Sequence, residues 1–239
     1  AFFPGLIQAA ESVGSLQIRN VGTIGGNLCQ RPRCWYFRNE EFPCLKKGGY
    51  KCYAVEGNNK YHAIFGGGPS YIVHPSDLAP VLIALNGRVE IFGQDGSREV
   101  ALEDFYVLPE ENIRQETILK ANEVVTSVIV PVPLPGTKSV YLKFKEKGSM
   151  DFALSSVAVT VQIEGDFFRS VRVVLGGVAP KPWRAFASEE VLLGKPLTEG
   201  LLDKAAEAAL SDAHPLKNNA YKVQLTRTLI RRAVRTAVG

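Results

Sequence analysis

The stretch Ile18-Arg19-Asn20-Val21-Gly22-Thr23-Ile24-Gly25-Gly26-Asn27 decides the fold and the chemistry of this sequence. It is predicted to begin extended and to end in a tight turn, because glycine reaches backbone conformations that other residues avoid. Adjacent glycines let main-chain N–H groups approach an anion such as a diphosphate, and Thr23 and Asn27 add side-chain hydrogen bonds. Alone the pattern is weak, since paired glycines more often form a plain turn. It is also not the G-x-G-x-x-G fingerprint of a dinucleotide-binding strand and helix.

Around this stretch the sequence predicts two short helices and a long loop. A helix is expected at 4–13, where Pro4 suits the first turn and Gly14 ends the pattern. A second helix is expected at 77–86, with Ser76 as its N-cap. Between them, residues 28–70 are rich in Cys, Arg, Lys, Gly and aromatic residues and show no periodicity. A loop of that length inside a compact domain needs something to hold it in place.

Further along the chain, β-strands precede helices. A short strand end is expected at 71–74, a hairpin around Asp95-Gly96, and a strand at 124–130 that is closed by the proline-rich residues 131–135. Three β-like runs and two amphipathic helices follow, at 140–145, 156–163, 169–175, 199–213 and 219–237. Strands followed by helices predict an α+β fold.

The composition is that of a globular protein. Hydrophobic residues make up 46% and charged residues 22% of the 239 positions. No apolar run approaches the roughly 18 residues of a membrane span, and the first residues lack a signal-peptide pattern. The only methionine is Met150, so we interpret the chain as processed or as a fragment. Basic residues cluster between 31 and 60, and we interpret them as a solvated or partner-facing surface, with no nucleic acid bound.

All four cysteines fall within one stretch, Cys29-x4-Cys34-x9-Cys44-x7-Cys52. Disulfide frameworks suit small secreted domains, whereas clustered cysteines in an intracellular chain indicate a metal or iron–sulfur site. The spacing matches neither zinc-finger pairs nor ferredoxin runs.

The glycine-containing stretch 18–27 resembles the second flavin-binding segment of the molybdenum hydroxylase flavoproteins, a family that includes the medium subunits of CO dehydrogenase. The similarity continues in His74-Pro75-Ser76-Asp77-Leu78-Ala79-Pro80 and in Tyr141-Leu142-Lys143-Phe144-Lys145, and spans nearly the whole chain. The resemblance implies that the turn contacts the FAD diphosphate through Thr23, Ile24, Gly25, Gly26 and Asn27. It also implies that Asp77 contacts the nucleotide portion, that Lys145 lies near the isoalloxazine ring and that Val125 packs on the flavin.

The same resemblance implies an architecture. Residues 1–133 are expected to form the second subdomain of a PCMH-type FAD-binding domain. Residues 138–239 are expected to form a C-terminal domain with a three-stranded antiparallel sheet and helices. The family's first flavin segment, a Gly-Gly-Thr turn, lies upstream of the second, and this sequence begins too late to contain it.

The run Gln30-Arg31-Pro32-Arg33-Cys34-Trp35-Tyr36-Phe37-Arg38 resembles an insertion that binds a [4Fe–4S] cluster in some members of this family. The resemblance implies a ligand set of Cys29, Cys34, Cys44 and Cys52. In related sequences a cysteine can occupy the position of Ser70, so in this chain either Cys29 is the fourth ligand, Ser70 itself is an unusual one, or the cluster is incomplete.

Taken together, the resemblance predicts an FAD-carrying electron-transfer subunit of a molybdopterin-dependent oxidoreductase. The expected partners are a large molybdopterin-binding subunit and a small [2Fe–2S] subunit, in the cytoplasm or, if the complex is exported, in the periplasm. Two alternatives stay open. One is a non-enzymatic module that is stabilised by zinc on the cysteines, and the other is a structural subunit without a cofactor.

Overall fold

Two antiparallel sheets organise the chain, which a computed structural model describes over residues 3–239. In chain order the strands are β1 Arg88–Gly93, β2 Gly96–Ala101, β3 Val124–Ile129, β4 Lys138–Phe144, β5 Ser155–Glu164, β6 Phe167–Gly176 and β7 Trp183–Arg184. The first sheet has the order β2-β1-β3 and the second has the order β4-β5-β6-β7. The predicted α+β class is therefore confirmed.

Eight α-helices accompany the sheets within the described residues. They are α1 Pro4–Ser12, α2 Leu16–Val21, α3 Ile24–Leu28, α4 Trp35–Arg38, α5 Leu78–Ala84, α6 Phe186–Leu192, α7 Glu199–Ala208 and α8 Tyr221–Val238. Single turns of 3-10 helix occur at Leu45–Lys47 and Leu102–Asp104. In residues 3–239, no helix is both long enough and apolar enough to cross a membrane.

The start of the glycine-containing stretch is helical, which corrects the prediction of an extended segment. Ser15 Oγ accepts a hydrogen bond from the Ile18 N–H at 3.3 Å and so caps α2. Gly14, with φ of 51°, separates α1 from α2. Leu16 and Val21 are exposed and do not pack on a sheet.

The strand predictions are largely confirmed. The hairpin turns at Asp95-Gly96, where Gly96 has a φ of 99° that favours glycine. Residues 71–74 form no strand and contribute only a bridge between Val73 and Arg33. The second sheet contains the three predicted strands and a fourth, β7, whose two residues are too few to produce a periodic pattern.

Two cores lie on opposite faces of the second sheet. One face of β5, with Val157, Val159 and Val161, packs against α8, and the same core contains residues of α6 and α7. On the opposite face, Ala158 packs with α5, α1 and the first sheet. All seven residues of α5 are buried. The position of Asp77, immediately before α5, is therefore fixed by packing on several sides.

His74 connects the end of α3 to the start of α5. Its Nε2 lies 3.2 Å from the Leu28 carbonyl oxygen, and its Nδ1 lies 3.4 Å from the Ser76 amide nitrogen. A neutral ring satisfies both contacts, because one nitrogen donates and the other accepts. Burial lowers the pKa of His74 from 6.5 to about 4.

We expect His74 to make the protein less stable in acid. Between pH about 4 and about 6.5 the unfolded chain binds a proton that the folded chain excludes, so stability falls as the pH drops through this window. The full effect is on the order of 3 kcal/mol. His74→Gln should flatten the acid dependence of the unfolding free energy in urea titrations, whereas His214→Gln, at an exposed position, should not. An unchanged acid slope in His74→Gln would contradict this role.

Candidate functional site

A cleft of about 560 Å³ lies where the glycine turn, the segment before α5 and the loop after β4 meet. Its volume is in the range of small-molecule and cofactor sites. One wall is polar and is formed by Thr23, Gly26, Asn27 and Asp77. The other walls are mostly apolar and include Val13, Ile18, Ile24, Leu78, Met150 and Phe152.

The predicted tight turn is instead the first turn of α3, and neither Gly25 nor Gly26 has a positive φ. This turn, Thr23–Asn27, is held by its own side chains. Thr23 Oγ1 accepts a hydrogen bond from the Gly26 N–H at 3.0 Å and caps α3. Asn27 Oδ1 accepts from the Ser76 hydroxyl at 2.6 Å, which ties the turn to the residue before Asp77. Both contacts use acceptor atoms of the turn, so the Thr23 hydroxyl proton and the Asn27 amide N–H groups are not consumed by them.

The two glycines of the turn have different surroundings. Gly26 faces the cleft, where a side chain would reduce the space for a ligand. Gly25 faces β3, because a Cβ atom there would lie 3.6 Å from the Val125 carbonyl oxygen. Gly25 and Val125 thus support the turn from behind, and neither is among the residues that line the cleft.

Asp77 is buried with both carboxylate oxygens engaged. Lys143 Nζ lies 2.7 Å from Oδ2, and the Tyr141 hydroxyl donates to Oδ1 at 2.7 Å. Burial raises the pKa of Asp77, and the opposite charge of Lys143 limits that rise. A carboxylate offers about four lone-pair sites, so Asp77 can still accept a hydrogen bond from a ligand. Sequence reasoning missed Lys143 and Tyr141, although alternation along β4 puts both on the face that carries Lys145.

Lys145 does not line the cleft. Its Nζ donates to the Ser149 carbonyl at 2.8 Å, which closes the loop that carries Met150 and Phe152. Its charge still acts on Asp77, where it opposes the rise in pKa. Lys143 is therefore the lysine that pairs with the Asp77 carboxylate, whereas Lys145 holds the loop that carries Met150 and Phe152.

The cysteine-rich segment contains four free thiols. Cys34 and Cys44 are buried, and Cys29 and Cys52 are half-buried. Burial raises the pKa of Cys34 to about 11, and the nearby Cys52 and Cys44 add to the rise. Cys29 instead follows α3 and packs against the second core. Three of the four predicted metal ligands are thus neighbours, and Cys29 belongs to a different part of the fold.

The geometry does not favour a zinc-stabilised module. Across residues 3–239, no three His, Cys, Asp or Glu side chains converge on the position of a single ion. A structural zinc site needs four donors around one ion. An iron–sulfur cluster distributes its ligands over several irons, so it does not require the same convergence.

Arg33 connects the cysteine-rich segment to the wall of the cleft. Its guanidinium group lies 4.3 Å from the centre of the Tyr61 ring and 5.5 Å from that of Phe152. Its Nη1 donates to the Ala153 carbonyl at 2.8 Å. Because Arg33 precedes Cys34 and Phe152 lines the cleft, one side chain bridges the two candidate cofactor regions.

Comparison with known proteins identifies the family to which these features belong. Residues 1–133 match the FAD binding domain in molybdopterin dehydrogenase, and residues 139–237 match the CO dehydrogenase flavoprotein C-terminal domain. The chain belongs to the molybdenum hydroxylase flavoprotein family. The resemblance that the glycine turn suggested is confirmed at this level.

Members of the family are similar over most of the chain. The aldehyde oxidoreductase FAD-binding subunit PaoB of Escherichia coli is 38% identical over 93% of this chain and 67% of its own length. The glyceraldehyde dehydrogenase medium chain of Sulfolobus acidocaldarius is 30% identical over 89% of this chain and 58% of its own length. The carbon monoxide dehydrogenase structure from Hydrogenophaga pseudoflava is 26% identical and superposes with a TM-score of 0.74, covering 100% of this chain and 68% of that chain.

These flavoproteins are oxidoreductase components, which confirms the predicted enzyme class. Their names describe FAD-binding subunits or medium chains, so they are parts of larger assemblies. The present chain spans between 58% and 68% of the lengths of these three relatives. The roles of the individual site residues stay predictions.

Proposed function

We propose that this chain carries FAD and transfers electrons between the iron–sulfur clusters of a molybdopterin-dependent oxidoreductase and an external carrier. The observation that carries the proposal is the Asn27–Ser76 hydrogen bond, which holds the glycine turn and Asp77 in the walls of one cleft. The glycine turn and a buried carboxylate are the two features that the flavin assignment requires, and residues of both line a single cavity.

The cleft suits the chemical parts of FAD. The N–H groups of Ile24 and Gly25 are the donors that the turn offers to the diphosphate, because those of Gly26 and Asn27 already donate to Thr23, and Gly26 leaves room for the ligand. Asp77 accepts a hydrogen bond from the nucleotide portion, and the apolar walls pack on the aromatic ring system. FAD supplies the electron-transfer chemistry when it is bound, while the protein binds and orients it. Val125 and Lys145 do not line the cleft. Val125 packs behind Gly25 of the turn, and Lys145 holds the loop after β4.

The proposed partners are a large molybdopterin-binding subunit and a small [2Fe–2S] subunit, in a cytoplasmic complex or an exported one. The subunit and medium-chain names of the relatives support such an assembly. In this arrangement the chain performs no substrate chemistry of its own. Electrons arrive from the small subunit and leave through the carrier.

We further propose a [4Fe–4S] cluster in the cysteine-rich segment. The residues present fit such a group, because Cys34 and Cys44 are buried free thiols and Cys52 lies beside them. Thiolates are the preferred ligands of iron–sulfur clusters. The bridge that Arg33 forms to Phe152 supports a position beside the flavin cleft.

FAD binding is tested by placing a negative charge in the turn. Asn27→Asp is nearly isosteric and keeps an acceptor for the Ser76 hydroxyl, but it places a carboxylate in the wall proposed for the diphosphate. We expect the FAD affinity of the purified native complex to fall at least ~10-fold, which corresponds to about 1.4 kcal/mol. Retained flavin is measured by absorbance and by equilibrium dialysis.

Asn122→Asp is the matched control, since Asn122 is an exposed amide on the loop before β3. It should leave the FAD content unchanged. Equal FAD affinity in Asn27→Asp and Asn122→Asp would place the diphosphate elsewhere. Wild-type complex purified without any flavin would contradict the proposal as a whole.

A further inference from the structure

We infer that Arg19 supplies the positive charge that holds the diphosphate of a dinucleotide bound in the cleft. The inference rests on the proposed function and adds to it a binding residue that belongs neither to the glycine turn nor to the buried carboxylate. Arg19 lies in α2, the short helix before the turn, and its side chain lines the cleft.

The charges around the cleft leave Arg19 as the cation that is open to a ligand. Among the described residues that line the cleft, Arg19 is the one basic side chain, whereas Asp77 and Asp151 are acidic. Each carboxylate already faces a cation of the protein. Asp77 pairs with Lys143 at 2.7 Å, and Asp151 Oδ1 lies 3.9 Å from Nη2 of Arg33. The acidic groups are therefore neutralised within the protein, and the charge of Arg19 is not.

The guanidinium group of Arg19 uses little of its hydrogen-bonding capacity on the protein. Its Nη1 donates to the Val13 carbonyl at 2.8 Å, and Arg19 takes part in none of the ion pairs within residues 3–239. A guanidinium group has five N–H donors in a planar fork that matches the oxygens of a phosphate. The donors on Nε and Nη2 therefore remain for an anion.

The surroundings of Arg19 favour a charged ligand. Arg19 is half-buried, so an opposite charge beside it is screened less than it would be at the surface. The bond to Val13 holds the guanidinium group at the wall, because Val13 itself lines the cleft. The hydroxyl of Thr23, four positions further along, lines the same cleft. A cation and a hydroxyl group on one wall are donors that suit phosphate oxygens, and charge-assisted hydrogen bonds are the stronger ones.

A purely structural role for Arg19 is the competing explanation. Its bond to the Val13 carbonyl connects α2 to the residue that ends α1, and this contact alone could shape the wall. The two roles differ in their response to salt. An ion pair with a diphosphate weakens as the ionic strength rises, whereas a wall that is only shaped by a neutral contact does not respond in this way.

The test measures FAD affinity in the purified native complex after its flavin has been removed. Arg19→Gln keeps a donor for the Val13 carbonyl and loses the charge, and we expect it to bind FAD at least ~10-fold more weakly at low salt. Arg19→Lys keeps the charge without the planar fork, so it should recover part of the loss. Arg232→Gln, at an exposed position of α8 outside the cleft, changes the net charge equally and should bind FAD normally.

The salt dependence separates the charge of Arg19 from a structural effect. The FAD affinity of the wild type should fall as salt is added, and that of Arg19→Gln should change less. Weaker binding by Arg19→Gln with the salt dependence of the wild type would overturn the inference, and so would equal FAD affinity in the two proteins.

Inorganic diphosphate provides an arm of the test that does not depend on flavin. Calorimetric titration should show that it binds to the flavin-free wild type more tightly than to Arg19→Gln. Wild-type complex that binds no FAD would contradict the proposed function, and binding of diphosphate through Arg19 would then still support the inference. Failure of both FAD and diphosphate to bind would overturn the two together.

Discussion

Replacing Lys143 with methionine is expected to destabilise the folded protein by roughly 3–5 kcal/mol, because it leaves the Asp77 carboxylate buried without its cation. The two side chains are 6% and 7% exposed, and their charged atoms lie 2.7 Å apart. Methionine keeps most of the length of the lysine side chain, so lost packing contributes little. The unfolding free energy in urea measures the effect.

The controls for this pair use neighbouring residues of the same pair of segments. Lys145→Met removes a charge whose Nζ bonds the Ser149 carbonyl, so its effect should stay within about 0.5 kcal/mol. In the double variant Asp77→Asn/Lys143→Met no unpaired charge is left buried, and we expect it to recover more than half of the loss. A Lys143→Met protein as stable as Lys145→Met would show that Asp77 is not charged in the folded state.

The same variants test the flavin assignment separately from stability. Asp77→Asn keeps the shape of the side chain and an acceptor for the Tyr141 hydroxyl. If Asp77 accepts a hydrogen bond from FAD, this variant should hold FAD more weakly even at temperatures where it remains folded. Lys145→Met should weaken FAD binding less than Asp77→Asn does, because Lys145 acts only through the loop that carries Met150 and Phe152.

The sequence located the glycine turn and Asp77, but it could not tell which lysine meets the carboxylate. Lys143 lies in β4 and Lys145 directly follows its last residue at the same alternation, so the sequence pattern does not distinguish them. Which of the two meets Asp77 depends on how α5 packs on β5 and β6, which is a long-range property. A period of two identifies the face of a strand but not the position along it.

The cysteine-rich segment was less predictable, for a physical reason. Its four thiols are close in sequence, yet Cys29 is held by α3 while Cys34 is held beside His62, which lies far along the chain. Sequence proximity therefore suggested a ligand set that the fold separates.

A local capping contact also determines the secondary structure of one segment that the sequence pattern did not predict correctly. The start of the glycine-containing stretch was predicted to be extended, but the Ser15 hydroxyl caps a helix over Leu16–Val21. The predicted helices with wide apolar faces, α7 and α8, were recognisable because burial repeats along them. Helix α6, with seven residues, is too short to show such a repeat.

The second large effect is expected for Gly49→Ala, within the loop between Cys44 and Cys52. A Cβ atom at Gly49 would lie 1.6 Å from the Pro43 carbonyl oxygen and 2.3 Å from its carbonyl carbon. The Gly49 N–H also donates to the Cys44 carbonyl at 2.9 Å, which holds the two backbones together. Because the overlap is with main chain, no side-chain rotation relieves it, and the loop must open.

We expect this opening to cost more than ~3 kcal/mol, which shifts the equilibrium between the closed and the open loop by about 100-fold toward the open form. Gly49→Ala should therefore lose most of the iron and acid-labile sulfide of the purified complex and keep its FAD, since the flavin cleft is formed by other segments. Gly148→Ala is the matched control, because a Cβ atom there meets nothing within 4 Å. If Gly49→Ala retained its full iron content, the loop geometry that brings Cys44 and Cys52 together could not be what holds the cluster.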